Sequence, residues 1–507
     1  MTTASNESGP RWWRAGWVKW VVIVLVFIVG FYVHQDLMGA VAWKKVQRKI
    51  AAAGESLDPE SLSPTPVPEE KNFGALPIFR LSTGSGYLSS PALTAALDKV
   101  QYLATSKTDR YGSSGQLPYL GDWQKGETLD RATVRTELAK LCHEPPDSKA
   151  TSLELLAKLC PALADLRAAN ATHPDCLFPQ DPNPSPWEKG VGHITAKVKV
   201  SQVLAYEERL ALDAGRPELA LEDLKLAWKI NSGLRKDDSY VAGLVSVIVV
   251  SNQMNTIRQG LAEHVWNDRQ LAELDLALCS IDFLADFQHS IRGDTLEFMI
   301  PVVDELNHDR YTLALAAGGC GGRGTSISPA TRLLTYLTWM IPSGWMDQYK
   351  ADTVAFRMIV LLPVVDVSAH RVFPDRDAKM QAWVGTLPSS SYWQNIVNLN
   401  CDPLTGSPKK FSYAQVQVDQ ARIACRLERY RLSHGNYPES LTALESTYGP
   451  NPLDPISGEA YRYKRNADGT YILYSLGWNQ KDDGGNFTGL PAQDAPDWGW
   501  LNQPLSP

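Results

Sequence analysis

At 507 residues, with 44% hydrophobic and 21% charged residues, the chain is too long for one ordinary core and expects two or three globular domains. A net charge of −7 argues against a nucleic-acid binder, which needs a basic stripe to meet phosphates. Seven cysteines, none in a C-x-x-C pair, indicate neither a zinc knuckle nor a thioredoxin-like site.

Residues 1–14 read as a polar tail. The run Ala15–Val33 that follows has 19 residues and one charge, Lys19. As a helix it spans roughly 28 Å, enough for the hydrocarbon core of a bilayer. Lys19 can snorkel to the interface, and Trp12, Trp13, Trp17 and Trp20 suit the headgroup belt. Its Val/Ile density runs all round rather than along one face, which separates it from a core helix. Two readings fit: a retained single-pass anchor, or a signal peptide cleaved after Ala40-Val41-Ala42. Either places the bulk of the chain outside the cytoplasm. The short leading tail favours N-in topology, with residues beyond the anchor on the periplasmic side of a bacterial inner membrane.

Residues 34–76 predict a basic helix over Val41–Gly54 and then a Pro/Ser/Glu linker over 55–71, extended and solvated. Residues 77–400 predict an α-helical body. Its clearest early helices are LDRATVRTELAKLC and SLELLAKLCPALADLRAA, and HPDCLFPQDPNPSPW closes that part as a loop. Helices over 193–213 and 217–231 turn at Ala214-Gly215-Arg216-Pro217. The Gly215, Ala220, Leu224 and Ala227 spacing resembles the second half of a tetratricopeptide repeat. No second copy lies about 34 residues away, so simple helical-hairpin packing is favoured over a repeat array. A second helix pair follows over 241–265 and 267–281, with Asn267 as cap.

The apolar stretches Val241–Val250, Leu333–Pro342 and Met358–Val365 are too short to span and read as core. The Gly-rich segment 316–329 lacks the Gly-Lys-Ser/Thr of a phosphate loop and reads as a flexible linker ahead of a docking region over 330–410. Cys279 and Cys425 read as small buried residues, and one disulfide among Cys142, Cys160 and Cys176 is open.

Catalytic signatures are sparse. There is no H-E-x-x-H and no G-x-S-x-G. Glu305 and His308 share the E-x-x-H spacing of di-iron bundles but have no second copy, so a solvated helix face is favoured. Ser407-Pro408-Lys409-Lys410 matches S-x-x-K without its companion motifs.

Residues 401–507 form the last predicted module, α+β in class. A helix over 411–433 places Val416, Ile423, Leu427 and Tyr430 on one face and stops at Gly435 and Pro438. AYRYKR and TYILYS alternate with period two around Asn466-Ala467-Asp468-Gly469, the signature of a hairpin. This order, with Tyr430, Gly435, Tyr437, Pro438, Leu441, Asp454, Pro455, Gly458, Tyr461, Tyr474, Ser475, Leu476, Gly477, Gly484 and Gly485, resembles the C-terminal part of the major pseudopilin of type II secretion. The N-terminal segment departs from that family. Pseudopilins carry Glu at the fifth mature position after a Gly, whereas Gly16 here leads to Val21. The order of anchor, linker, GRPELALEDL, PSGW, LLPVVD and RLSHGNYP also resembles large membrane-anchored proteins of planctomycete and verrucomicrobial bacteria.

The pseudopilin resemblance implies a calcium loop. Asn479, Asp482 and Asp483 would supply side-chain oxygens and Leu476 its carbonyl. Ser475, Asn486, Asp494 and Asp497 lie near enough in sequence to contribute. The competing reading is a hydrogen-bonded Asx/Gly turn without metal. The sequence as a whole therefore predicts a mainly α protein: a transmembrane helix, a body of helical hairpins with some tetratricopeptide-like character, and a pseudopilin-like α+β module. The function expected is that of a membrane-anchored, exported interaction or scaffold protein, whose protein partner is a secretion or pilus component. The alternative is an exported hydrolase-like enzyme or ligand-binding protein with a pocket in the helical body.

Overall fold

The computed structural model describes residues 16–80, 129–145, 148–179, 192–309, 338–385, 404–487 and 492–500, with short pieces between 82 and 120. The predicted tail over 1–14, the Gly-rich segment 316–329, Cys320 and Cys401 lie outside the described residues. The chain is mainly helical with small sheets, whose strands in chain order begin with β1 (Ser82–Gly84), β2 (Tyr87–Ser89), β3 (Tyr102–Leu103), β4 (Gln116–Leu117), β5 (Val365–Asp366) and β6 (Arg371–Val372). In chain order the longer helices are α1 (Gly16–Ala52), α2 (Arg131–Leu141), α3 (Ser152–Leu159), α4 (Ala162–Asn170), α5 (Gly192–Asp213), α6 (Pro217–Arg235) and α7 (Tyr240–Ala262). They continue with α8 (Asp268–Cys279), α9 (Phe283–Gly293), α10 (Ile300–His308), α11 (Ser343–Ala355), α12 (Pro374–Gly385), α13 (Ser407–His434) and α14 (Thr442–Tyr448). The contacts divide the chain into two compact units. One comprises Met1–Leu57, Met299–Ile359 and Pro388–Cys401; the other comprises Asp58–Phe298, Val360–Leu387 and Asp402–Pro507.

The first unit is built on α1. The apolar segment and the basic helix expected separately after it are one unbroken 37-residue helix. Nothing between Val33 and Val41 stops a helix: there is no proline, and the single Gly39 sits where a neighbour leaves no room for a side chain. Along its most apolar window nothing is buried. Further on, Gly39, Val46 and Ile50, at steps of seven and four, turn one face onto α11. A Cβ at Gly39 would lie 2.3 Å from the Gly344 carbonyl oxygen, and one at Gly344 would lie 2.0 Å from that of Gln35. Two glycines thus set how closely the backbones approach. Polar groups fix the contact: Gly344 N–H donates to Asp36 (2.8 Å), Trp345 Nε1 to Gln35 (3.0 Å), and Lys350 sits 4.7 Å over the Trp43 ring.

The second unit begins within the linker, at Asp58. Residues 55–71 are almost wholly exposed, with only short 3₁₀ turns, as their composition predicts. Asn72 then fixes the chain by acting as a strand partner. Its Nδ2 donates to the Leu177 carbonyl and its Oδ1 accepts from Leu177 N–H, both at 2.8 Å. Phe73, Phe79 and Phe178 close over this junction, with ring centroids 5.5 and 5.2 Å apart. Around them α2–α6 bury a core that includes Leu138, Leu155, Leu204 and Ile230. The expected α5–α6 hairpin is present: Gly215 takes φ +67° at the turn, and Ala220, Leu224 and Ala227 are completely buried. Asn267 caps α8 in a reciprocal box with Gln270.

The cysteine expectations are partly overturned. Cys142, Cys160 and Cys176 are free thiols, so no disulfide joins them. Cys425 is buried, but Cys279 is exposed, because it ends α8 one residue past the fully buried Leu278, on the side away from the core.

Helix α13 runs through the middle of this unit. It packs on α7, α8 and α9 and on the C-terminal sheet. Val416, Ile423 and Leu427 are fully buried, while Tyr430 is only half-buried. Gly435 ends the helix in the left-handed region at φ +78°. The expected hairpin pairs β7 (Arg462–Arg465) with β8 (Tyr471–Ser475) in antiparallel register, Arg462 opposite Tyr474. A third strand, β9 (Trp498–Trp500), adds to β8 with Leu473 opposite Trp500. It was not anticipated from the sequence: three residues reading Trp-Gly-Trp give too short a pattern to mark a strand. Leu427→Ala removes a fully buried side chain from the α13 packing face, and we expect it to cost about 2–5 kcal/mol. Urea unfolding of the two proteins measures this, and equal midpoints would show the face is misassigned.

Candidate functional site

The C-terminal loop is held by carboxylates rather than left open. Asp454, almost completely buried, accepts from Ile456 N–H (3.0 Å), Ser457 Oγ (3.2 Å) and Ser475 Oγ (2.9 Å). Asp497, also buried, accepts from the backbone of Gly485 (2.8 Å), Asn486 (2.9 Å) and, more weakly, Asp483 (3.4 Å). Successive amides round one carboxylate make an anion nest. Gly484 and Gly485 supply the positive φ values of +73° and +81° that the nest requires.

The predicted calcium residues sit on the rim of this loop. Leu476 is half-buried at its start. Asn479 donates to Asp483 (2.7 Å) and accepts from Lys481 N–H (2.9 Å). Asp482 accepts from the Tyr474 hydroxyl (2.9 Å) and Gly484 N–H (3.1 Å), which hold its carboxyl below the usual range. Asp494 instead pairs with Lys409. Among the described residues, no group of three or more His, Cys, Asp or Glu side chains is placed to hold a metal ion. The loop is hydrogen-bonded throughout, with Asp497 at its centre.

A groove lies elsewhere in the same unit, between the outer stripe of α7, the first turns of α13 and the 492–493 turn. Its volume is about 450 Å³. Leu244, Val247 and Ile248 form an apolar wall, and Ser251, Asn252 and Asn255 continue the same helix stripe as polar residues. Arg258 forms the floor. It is buried, donates to Gln417, and stacks on Trp500 at 4.6 Å. Gln417 in turn donates to Gln420 (3.3 Å), and Gln420 to the Trp498 carbonyl (2.6 Å). Lys410 stands on the lining, and among the described residues no carboxylate does. In a chain of net charge −7, this is a locally cationic, half-apolar groove.

The other chemical groups singled out in the sequence do not converge here. Glu305 is half-buried and His308 exposed on α10. Ser407 is buried at the start of α13 and donates to the Leu404 carbonyl, a structural bond.

One pairing was invisible in the sequence. His370, at φ +49° between β5 (Val365–Asp366) and β6 (Arg371–Val372), faces Asp419 of α13 at 3.5 Å. Asp419 also accepts from Tyr461 (3.2 Å) and Gln415 (3.0 Å). The bond to Asp419 raises the imidazole above its ordinary value, burial opposes it, and Asp282 and Arg422 add smaller effects of opposite sign.

The chain matches no protein-family model, no curated protein and no solved structure.

Two outcomes test these sites. For a calcium loop, the melting temperature should rise with millimolar calcium, fall with chelator, and stop responding in Asp482→Ala/Asp483→Ala. A melting temperature indifferent to calcium leaves the Asp497-centred turn as the account. For His370, the folded value lies above the unfolded one. The stabilising contribution is therefore complete below about pH 6.5 and is lost as pH rises through the raised value. His370→Gln should remove that part of the decline in stability between neutral and alkaline pH, read from urea unfolding across the range.

Proposed function

We propose that the protein is a membrane-anchored scaffold whose folded body meets a protein partner outside the cytoplasm. One observation carries this reading. The first half of α1 is apolar on every side and bare, while its second half is docked on α11 through Gly39 and Gly344. A soluble protein has no use for such a surface, whereas a bilayer covers it without further contacts. The unbroken passage from bare to docked helix supports retention of the anchor, since cleavage after Ala42 would remove Gly39 from a contact built around it.

The groove between α7 and α13 supports the interaction half of the reading. Its apolar wall beside Arg258 and Lys410 suits a segment bearing both apolar and acidic side chains. The likeness of the C-terminal module to pseudopilins supports a secretion or pilus assembly as the source of that partner. One observation favours the alternative of an exported hydrolase-like enzyme: His370 is half-exposed and oriented by the buried Asp419, as a general base is.

Fusion of a reporter active only after export to the C-terminus tests the anchor and its direction. We expect activity in the membrane fraction and an N-terminus that includes residue 16. Cytoplasmic activity overturns the topology, and a mature N-terminus at Trp43 overturns the retained anchor.

A further inference from the structure

The turn just ahead of α11 carries two large exposed apolar side chains: Trp339 is 70% and Met340 66% exposed. The residues beside them, Thr338, Ile341 and Pro342, are uncharged, and Thr338 and Pro342 are buried, so the turn is not loose at its base. Its position along α1 is fixed by a bond. The Tyr32 hydroxyl donates to the Met340 carbonyl at 2.5 Å. Phe31 meets Trp345 edge-on at 6.3 Å, which holds the start of α11 at the same height.

Tyr32 is the next-to-last residue of the apolar run Ala15–Val33, whose described helix begins at Gly16. Counted along the helix, the distance from Gly16 to Tyr32 is about 24 Å, close to the thickness of a hydrocarbon core. The turn is therefore held where α1 leaves the bilayer, the depth at which Tyr and Trp side chains collect. We infer that Trp339 and Met340 form a second membrane contact, inserted into the interface of the leaflet from which α1 emerges. The occupant of this exposed apolar pair is the lipid surface that is continuous with the one covering α1. An indole is suited to this place, since its ring is apolar and its N–H can meet headgroup oxygens.

This inference rests on the anchor reading, and the test separates the two. Full-length protein is reconstituted into phosphatidylcholine vesicles with acyl chains brominated near the carbonyl end, which quench tryptophans at the interface. The fluorescence lost in Trp339→Phe is compared with that lost in Trp17→Phe/Trp20→Phe, which reports α1 alone. We expect both components to be quenched relative to unbrominated vesicles. If the α1 component is quenched and the Trp339 component is not, the second contact is refuted and the anchor stands. If neither is quenched, the anchor fails and the inference falls with it. Trp339 is exposed and the change to Phe is conservative, so loss of folding does not confuse the result.

Discussion

A helix buried on most sides must bring no uncompensated polar group with it, and α13 brings many. Gln415, Gln417, Asp419, Gln420, Arg426 and Glu428 are all buried in its length. Each unpaired group at such depth would cost more than a hydrogen bond returns, so the helix is tenable only because its neighbours are arranged to meet it. On one side, Arg422 and Arg426 share Asp275 of α8 at 3.1 and 2.8 Å, and Arg429 reaches Asp268 at 2.7 Å. The steps of four and three between the arginines match the seven-residue step between the aspartates, so two helices are held in one register. On another side, Glu428 accepts from Tyr437 and Arg431 and faces His264 at 2.8 Å. Asp419 and Gln420 reach the hairpin and β9 through Tyr461 and the Trp498 carbonyl. The C-terminal sheet and the helical hairpins thus share one helix, and neither is closed without it.

That arrangement explains which parts of the fold were legible in the sequence. Local devices were legible where a single residue type enforces a conformation. Asp468-Gly469 set the hairpin turn, Gly215 and Pro217 divided α5 from α6, and Asn267 opened α8. The apolar stripe of α13 was legible too, but it described only one face of a helix that is buried on most sides between Phe411 and Glu428. Periodicity reads a buried glutamine or aspartate as a surface residue, because only the partner from another segment makes its burial tolerable. For the same reason the His370–Asp419 pairing was out of reach. It joins a turn at positive φ to a helix about 50 residues later, and neither end has a local signature. In α1 the error ran the other way. The change from apolar to mixed composition after Val33 suggested a boundary between elements, whereas it marks a change of surroundings along one helix.

The C-terminal loop uses one set of residues for which two kinds of closure compete. A loop rich in Asp, Asn and Gly has two ways to satisfy its backbone amides and side-chain oxygens. A cation can gather the oxygens, or a carboxylate can gather the amides. Here Asp497 gathers amides, and its position beside β9 means that the strand and the loop are closed by the same residue. The sequence reading considered Asp497 only as an additional oxygen for a metal. Its burial and its three backbone donors make it also an anion that completes a nest.

The groove is built from the same shared helix. Its floor is a relay from Arg258 through Gln417 and Gln420 to the Trp498 carbonyl, backed by the Trp500 ring. A guanidinium held by a glutamine and an indole has little rotamer freedom left to lose, so the floor of the groove is rigid. Lys410, by contrast, lies near the start of α13 on a flexible stem, and its charge serves long-range attraction more than fixed contact. The floor of the groove is thus a cation that the fold already needs for its own closure.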